Sequence, residues 1–443
     1  LEVVKQVKAK VGDDFLLIYR ISADEFVPGG RTIEDTMAIA VLLEEAGVQI
    51  LHISAGVYGG TAIVPPAAVP HGWITRFAAQ VKKVVSVPVI TVGRINDPFL
   101  AESIITAGKA DLVAMGRGSL ADPMLPAKAA KGDYENIVYC IGCMQGCIGN
   151  LHKGQGITCL VNPSLGKEGE LALSKPSEVK KKVFIAGGGP AGMRAALAAS
   201  EKGHEVHLFE KNSKLGGNFR LAVIPPNKGE FSSYLTWQIL RLNRSDVKIH
   251  LGTELTEEEI KKGNPDILVI ATGGVEVQPN IPGVNKANVF YASQVLDGEA
   301  EIGQEVVIIG GGLIGCETAN YLAQLGKKVT IVEQMPEVAQ DSEKNTRSFL
   351  LKELKEKNVT CLVEALAEEI VDNGVMIIHR GIKEKIPGDT VIIAAGLKPL
   401  NNLMEKSNDT IEQVILIGDA VKIRTALEAI QEGFNIGILL QPN

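Results

Sequence analysis

The sequence predicts an α/β protein built on parallel sheets, laid out as three differently constructed stretches along 443 residues. Three observations carry this. Short apolar runs alternate with amphipathic stretches from residue 1 to about 130 and again from about 181 to the end, the rhythm of strands covered on both faces by crossover helices. The segment Val183-Phe-Ile-Ala-Gly-Gly-Gly-Pro-Ala-Gly192 reappears as Val307-Ile-Ile-Gly-Gly-Gly-Leu-Ile-Gly315, an internal repeat of strand, glycine-rich turn and helix. Between the two α/β regions lies a stretch of little regular pattern that holds four of the six cysteines.

Composition bounds the function classes. Hydrophobic residues make up 45% and charged residues 22%, which argues for a packed globular chain and against disorder. A net charge of −7 without any basic block argues against nucleic acid or an anionic membrane as partner. No apolar run approaches the ~20 residues that span a bilayer, no secretory signal opens the chain, and clustered cysteines suit a reducing compartment. A cytoplasmic location is therefore expected.

In the first stretch, strands are expected at Phe15–Tyr19, Ile50–Ile53, Val87–Thr91 and Leu112–Met115, and helices at Ile33–Ala46 and Trp73–Val84. Two strands end in glycine–arginine turns, Thr91-Val-Gly-Arg-Ile95 and Met115-Gly-Arg-Gly118. In a (βα)8 barrel the loops after the last two strands bind phosphate at the C-terminal face. Gly93 and Gly116 would offer N–H groups there, and Arg94 and Arg117 charge-assisted hydrogen bonds. Arg20 ends an earlier strand at the same face, either as a site residue or in a rim salt bridge.

The middle stretch, 131–180, carries Cys140, Cys143, Cys147 and Cys159 and closes in the charged linker Lys175–Lys182. Four thiolates suit a structural zinc ion or a [4Fe–4S] cluster. The Cys-x2-Cys-x3-Cys-x11-Cys spacing lacks the second knuckle of a zinc ribbon, which favours iron–sulfur over zinc. His152, inside the loop, is expected at the surface.

The last stretch carries two dinucleotide fingerprints, each with its terminal acid 23 positions after the first glycine: Gly187 to Glu210, and Gly310 to Glu333. Gly187 and Gly310 permit the tight turn. Gly189 and Gly312 let the backbone approach a pyrophosphate, and Gly192 and Gly315 let helix pack on strand. The pyrophosphate rests on the helix N-terminus, and Glu210 and Glu333 can accept ribose hydroxyls. A carboxylate at Glu333 disfavours a 2′-phosphate, so NADH is expected over NADPH. Disulfide reduction is set aside, because residues 181–443 hold only Cys316 and Cys361 without a CxxC pair; Cys316 reads as a packing residue.

Gly418-Asp419, the crossover Ile270-Ala-Thr-Gly-Gly274 and Leu215-Gly-Gly-Asn218 make this stretch resemble the two-dinucleotide-domain flavoproteins. The resemblance implies FAD on the first fingerprint, with Gly217 and Asn218 along the flavin and Gly418 and Asp419 at its ribityl or phosphate region, and NAD(P)H on the second. By itself Asp419 could equally be a helix cap. With Arg20-Ile-Ser22, Gly93-Arg-Ile-Asn-Asp-Pro98, Gly116-Arg117 and the four cysteines, the whole chain resembles the 2,4-dienoyl-CoA reductase, enoate reductase and trimethylamine dehydrogenase family. That family implies an Old-yellow-enzyme-like TIM barrel with FMN, a [4Fe–4S] cluster and FAD. Electrons from NADH would pass through FAD and cluster to FMN, which reduces an activated C=C bond of an enoate, enoyl-CoA or steroid enone. Arg20 would sit by flavin N1/O2, and Gly93, Arg94, Gly116 and Arg117 at the FMN phosphate. Tyr58 aligns where the family keeps a proton-donating His, as a proton donor, a substrate-orienting group or an aromatic lining of the pocket.

Two other readings stand beside the reductase: an amine dehydrogenase of the trimethylamine dehydrogenase type, and an electron-transfer subunit or fragment that needs a partner. A homo-oligomer is expected. The expected domains are a partial barrel over 1–130, the cluster segment over 131–180, an FAD domain over 181–300 plus 405–443, and an NAD(P)H domain over 301–404. A complete barrel takes about 250 residues. The portion here matches the C-terminal half, strands five to eight, and implies an N-terminal half-barrel before Leu1, on the same chain or a separate one.

Overall fold

A computed structural model describes all residues except 13, 58–63, 173–178, 405–410, 412 and 441–443, and side chains except also those of 171 and 172. The chain divides into two compact units, Leu1–Met144 and Gln145–Asn443, parting between Cys143 and Cys147.

The first unit is a parallel four-stranded sheet in chain order: Ile18–Ser22, Ile50–Ser54, Val89–Thr91 and Leu112–Val113. Between the strands run helices Ile33–Glu45, Thr75–Val81 and Pro98–Thr106, the first two-sided βα rhythm the sequence predicts. The first strand begins three residues later than expected, leaving Phe15 and Leu16 exposed. Thr32 and Asp35 form a capping box on the first of these helices, and Asp97 caps the third. Ile21, Leu51, Ile53 and Val89 are buried with Leu43, Phe77 and Ala78 of the helices. Strand residues alternate between faces, so Arg20, His52, Ile90 and Leu112, which are register partners, share the opposite face.

The second unit holds two five-stranded parallel sheets. The first runs Gln413–Leu416, Ile267–Ile270, Lys182–Ala186, Glu205–Glu210, Lys248–Leu251. The second runs Val289–Tyr291, Thr390–Ile393, Glu305–Ile309, Lys328–Val332, Thr360–Leu362. Val289–Tyr291 thus joins the second sheet ahead of residue 301, where the sequence boundary was expected; the strand is only three residues long and carries no periodic signal. Gly274–Glu276 pairs antiparallel with Leu397–Pro399 where the chain crosses between the two sheets and back. A three-stranded antiparallel sheet, Ala365–Val371, Gly374–His379 and Ile382–Pro387, packs its buried side on the second parallel sheet. Among the described residues no helix is long and apolar enough to cross a membrane.

Candidate functional site

The first fingerprint is a formed cradle. Gly187 turns at φ +107°, donates its N–H to Phe209 O at 2.8 Å, and has Ala271 O 2.3 Å from where a Cβ would stand. A Cβ on Gly192 would stand 1.9 Å from Gly187 O, so helix Pro190–Glu201 meets the strand only because no side chain intervenes. Gly189 caps that helix with open space around it. Glu210 is buried; its Oε2 accepts Gly188 N–H at 2.8 Å and its Oε1 accepts Asn212 N–H and Nδ2 at 2.8 Å. Beside it opens a cavity of about 860 Å³, lined by Gly187, Glu210, Lys211, Thr253, Leu255 and Thr272. Such a cavity accommodates the adenosine end of a dinucleotide.

The other residues expected at this cradle converge on it. Gly216 N–H bonds Gly188 O at 2.9 Å, a Cβ on Gly217 would lie 3.1 Å from Gly189 Cα, and Asn218 opens the short helix Phe219–Ala222. A Cβ on Gly418 would lie 3.0 Å from Ala191 Cβ, at the start of the cradle helix. Asp419 accepts Arg424 N–H at 2.9 Å, and burial pushes its carboxyl above the usual range. The residues fit FAD: an open backbone turn, a held acid and a cavity of the right size.

The second fingerprint repeats the geometry. Gly310 has φ +107° and Ala394 O 2.3 Å from its missing Cβ, and Gly315 has Gly310 O at 2.0 Å. Glu333 is buried; Oε2 accepts Gly311 N–H at 2.5 Å and Oε1 accepts Met335 N–H at 2.7 Å. Lys327 and Lys328, at the far end of that strand, bond Ile302 O and Glu305. Gly312 caps helix Leu313–Gln324. These residues fit a nicotinamide dinucleotide. Cys316 is fully buried, donates its S–H to Gly311 O at 3.3 Å and has its thiol pushed up to about 12 by burial. Burial also raises the Cys361 thiol, and neither is a redox thiolate at neutral pH.

In the first unit Arg20 and His52 face each other across adjacent strands, with Arg20 Nη1 3.2 Å from His52 Nε2. Burial, and then the Arg20 charge, bring the His52 pKa down to about 4. The imidazole is neutral at physiological pH, and the pair carries one positive charge. Gly93 and Arg94 both turn left-handed, at φ +114° and +53°. Nη1 of the Arg94 guanidinium donates to Pro66 O at 2.9 Å, Ala67 O at 2.5 Å and Val69 O, so it braces the 66–69 loop. Arg117 Nη1 bonds Met144 Sδ at 3.2 Å. Gly116 heads helix Gly116–Ala121 with open space beside it. The backbone turns and the Arg20 cation fit FMN, while Nη1 of Arg94 is committed to the 66–69 carbonyls. Tyr58 lies outside the described residues.

The cysteines are anchored unit by unit. Asn96 Nδ2 donates to Cys140 O at 2.5 Å, and Ala67 N–H bonds Gly142 O at 3.1 Å, fixing the Cys140–Cys143 turn. In the second unit Thr158 N–H bonds Gly146 O at 2.7 Å, drawing the Cys147 and Cys159 segments alongside each other, and Gln431 Nε2 donates to Cys159 O at 3.2 Å. All six cysteines are thiols, each of the four half-buried. Among the described residues no group of three or more His, Cys, Asp or Glu side chains is gathered to hold a metal. Thiols on anchored turns are the donor type of an iron–sulfur ligand set. His152 is half-exposed, 3.6 Å from Glu343.

Sequence reasoning missed His52 and Asp341. A single polar residue inside the apolar strand Ile50–Ile53 was the available signal for His52. Asp341 accepts the N–H of Leu313 at 2.8 Å, at the mouth of the second cradle. The helix Ala426–Leu439 holds both Cys159 O and Gln145 Oε1, through Gln431 and the Leu427 N–H.

Paired dinucleotide cradles on one chain with a barrel-type parallel sheet define a pyridine-nucleotide-dependent flavoprotein oxidoreductase. The chain belongs to the NADH:flavin oxidoreductase / NADH oxidase family, whose model matches residues 1–136, and the pyridine nucleotide-disulphide oxidoreductase model matches residues 181–433. It is 41% identical to an NADH oxidase of Thermoanaerobacter brockii over 98% of this chain and 68% of that protein. It is 34% identical to a cinnamate reductase of Clostridium sporogenes, with 98% of this chain and 68% of the relative covered. A solved 2-naphthoyl-CoA reductase in complex with 2-naphthoyl-CoA is 31% identical with a TM-score of 0.95, covering all of this chain and 68% of that one. The chain is an NADH-dependent flavin oxidoreductase.

Proposed function

We propose that this enzyme reduces an activated C=C bond conjugated to a carboxylate or thioester, with NADH as electron source. The observation that carries the reading is the Arg20–His52 pair: a permanent cation held beside a neutral imidazole on the open face of the first sheet. Such a cation stabilises an anionic reduced flavin, and the neutral imidazole leaves that charge undivided. The similarity to a cinnamate reductase and a 2-naphthoyl-CoA reductase supports the same substrate class.

When bound, FAD, FMN and a [4Fe–4S] cluster supply hydride acceptance, one-electron exchange and hydride donation. The protein's part is positional. Gly187, Gly189 and Gly192 would seat the FAD pyrophosphate, Glu210 would accept the ribose hydroxyls on its remaining lone pairs, and Gly217, Asn218, Gly418 and Asp419 would border the flavin side. Gly310, Gly312, Gly315 and Glu333 would do the same for NADH, with the Glu333 charge opposing a 2′-phosphate. Cys140, Cys143, Cys147 and Cys159 would ligate the cluster, and Arg20, Gly93 and Gly116 would hold FMN. Tyr58 would donate the proton to the α-carbon or orient the substrate carbonyl. A cytoplasmic site and self-association complete the reading.

The test is anaerobic turnover of NADH with cinnamate and with an aromatic acyl-CoA by flavin- and iron-loaded protein. NADH should bleach the flavin spectrum and the unsaturated acid should restore it. Bleaching by a methylated amine without NADH would overturn the reading in favour of an amine dehydrogenase, and reoxidation by oxygen alone would reduce it to an oxidase.

A further inference from the structure

The two fingerprints hold their glycines, acids and loop bonds at the same offsets. The carboxylate holding the central glycine comes 23 positions after the first glycine in both copies, and a loop N–H bonds the central glycine's carbonyl 29 positions after it in both: Gly216 to Gly188 O at 2.9 Å, Ala339 to Gly311 O at 2.7 Å. Two positions further stands Asn218 in the first copy and Asp341 in the second. The helix start differs too: Pro190, with no N–H, matches Leu313, whose N–H bonds Asp341 Oδ1 at 2.8 Å. The Asp341 carboxyl oxygens lie 3.6 and 3.8 Å from where a Cβ on Gly312 would stand, over the glycine that a pyrophosphate must approach.

We propose that Asp341 is an internal anion that sets the affinity of the second dinucleotide site, competing with the pyrophosphate of NAD(H) for the N-terminus of helix Leu313–Gln324. A helix N-terminus accepts negative charge through its unpaired N–H groups and its dipole, and a tethered carboxylate already takes one of those groups. A dinucleotide must displace it or share the turn with it against like-charge repulsion. Binding weakens and release quickens, which suits an enzyme that must discharge NAD⁺ after each hydride transfer. The first site has a neutral Asn at the matching position and no N–H on Pro190 to be occupied, as befits a cofactor that stays bound. Ala339, two residues before Asp341, is buried and held left-handed at φ +52°, so the loop carries a conformation that displacement of Asp341 could relax. The inference rests on the second fingerprint binding a nicotinamide dinucleotide and not on the substrate proposed above.

The experiment titrates FAD-loaded protein anaerobically with NAD⁺ and with ADP-ribose, which carries the pyrophosphate but not the nicotinamide, by calorimetry. D341N keeps the size and one acceptor while removing the charge; D341A removes both. Both variants should bind each probe about ten-fold more tightly than the parent protein, with FAD content unchanged. Unchanged or weaker binding in D341N, at parental FAD content and melting temperature, overturns the proposal and makes Asp341 a prop for its loop. Should D341N fold poorly, stopped-flow release of NAD⁺ from D341A decides: faster or equal release refutes it, slower release supports it. Neither readout depends on alkene turnover.

Discussion

Replacing Glu333 tests whether one carboxylate both holds the second fingerprint closed and chooses the coenzyme. Its Oε2 takes the buried Gly311 N–H at 2.5 Å, and its Oε1 takes the Met335 N–H at 2.7 Å. In E333A both donors lose their acceptor. An orphaned buried N–H costs about 1–3 kcal/mol, and the Met335 N–H, within reach of water beside a half-exposed side chain, costs about half that. The sum is roughly 2–4 kcal/mol, which at about 2–4 °C per kcal/mol for a unit of this size lowers its melting transition by about 5–15 °C. E333Q should lose about half as much, because its carbonyl can still serve Met335 while its amide faces the Gly311 N–H. Removing the charge should also lower the NADH-over-NADPH ratio of kcat/KM about ten-fold, since the repulsion against a 2′-phosphate goes with it. The assay is calorimetric melting of each variant beside initial rates of flavin reduction with both nucleotides. An E333A protein that melts within about 1 °C of the parent would refute the stability argument. An unchanged nucleotide ratio in E333Q would refute the selectivity argument separately.

Other perturbations follow from the same geometry. G192A should yield protein with little FAD, and G315A protein that keeps FAD but is not reduced by NADH, because each added Cβ falls about 2 Å from a carbonyl oxygen that belongs to the turn itself. Absorption of the purified variants reads both. His52 has its pKa lowered from 6.5 to about 4, so the unfolded chain takes up the proton first as pH falls. The stability this group contributes is full above about pH 6.5, drains away between 6.5 and 4, and is constant below. Melting temperature of the flavin-free protein against pH should therefore show less acid loss in H52N, and an identical slope would count against a neutral imidazole. R94A should loosen the 66–69 loop and speed its proteolysis without abolishing the binding of inorganic phosphate or FMN, whereas loss of FMN would restore Arg94 to the phosphate site. Replacing Cys147 or Cys159 by Ser should remove the broad visible absorption and the iron while FAD stays bound.

The parallel sheets, both fingerprints and their acids were legible because each rests on a local pattern: unbroken apolar strands, glycines at fixed offsets and a carboxylate at the next strand's end. The structure gives Gly187, Gly192, Gly310 and Gly315 a backbone contact that a side chain would abolish, and leaves Gly189 and Gly312 clear of backbone. What stayed hidden depends on pairs distant in sequence. Arg94 reads as a phosphate ligand from its place after Gly93, but three carbonyls some 25–28 residues earlier claim it. His52 owes its neutrality first to burial and then to Arg20, 32 positions away, which no periodicity reveals. Val289–Tyr291 belongs to the second sheet through its pairing with Val391–Ile393, although its own three residues say nothing about a partner.

The C-terminal helix Ala426–Leu439 gives the second unit a mechanical logic that neither motif has alone. Along one face Gly433 and Gly437 let it lie against helix Pro190–Glu201 at backbone distance: a Cβ on Gly433 would stand 2.3 Å from Ala191 O, and one on Gly437 2.9 Å from Ala198 O. Glu432 takes the Gly418 N–H at 2.7 Å and pairs with Arg424 at 2.6 Å, fixing the turn that carries Asp419. Gln431 holds Cys159 O, while the helix's own start holds Gln145. One rigid element thus ties the helix of the first cradle, the turn of Asp419 and the loop of Cys147 and Cys159. Electron exchange between redox groups falls steeply with separation, so an enzyme that passes electrons from one site to the next gains from holding both on a single strut. A bulky residue at Gly437 should therefore cost more than stability. G437L should slow electron transfer out of reduced FAD while leaving reduction of FAD by NADH intact, and if both steps slow equally the helix is only a packing element.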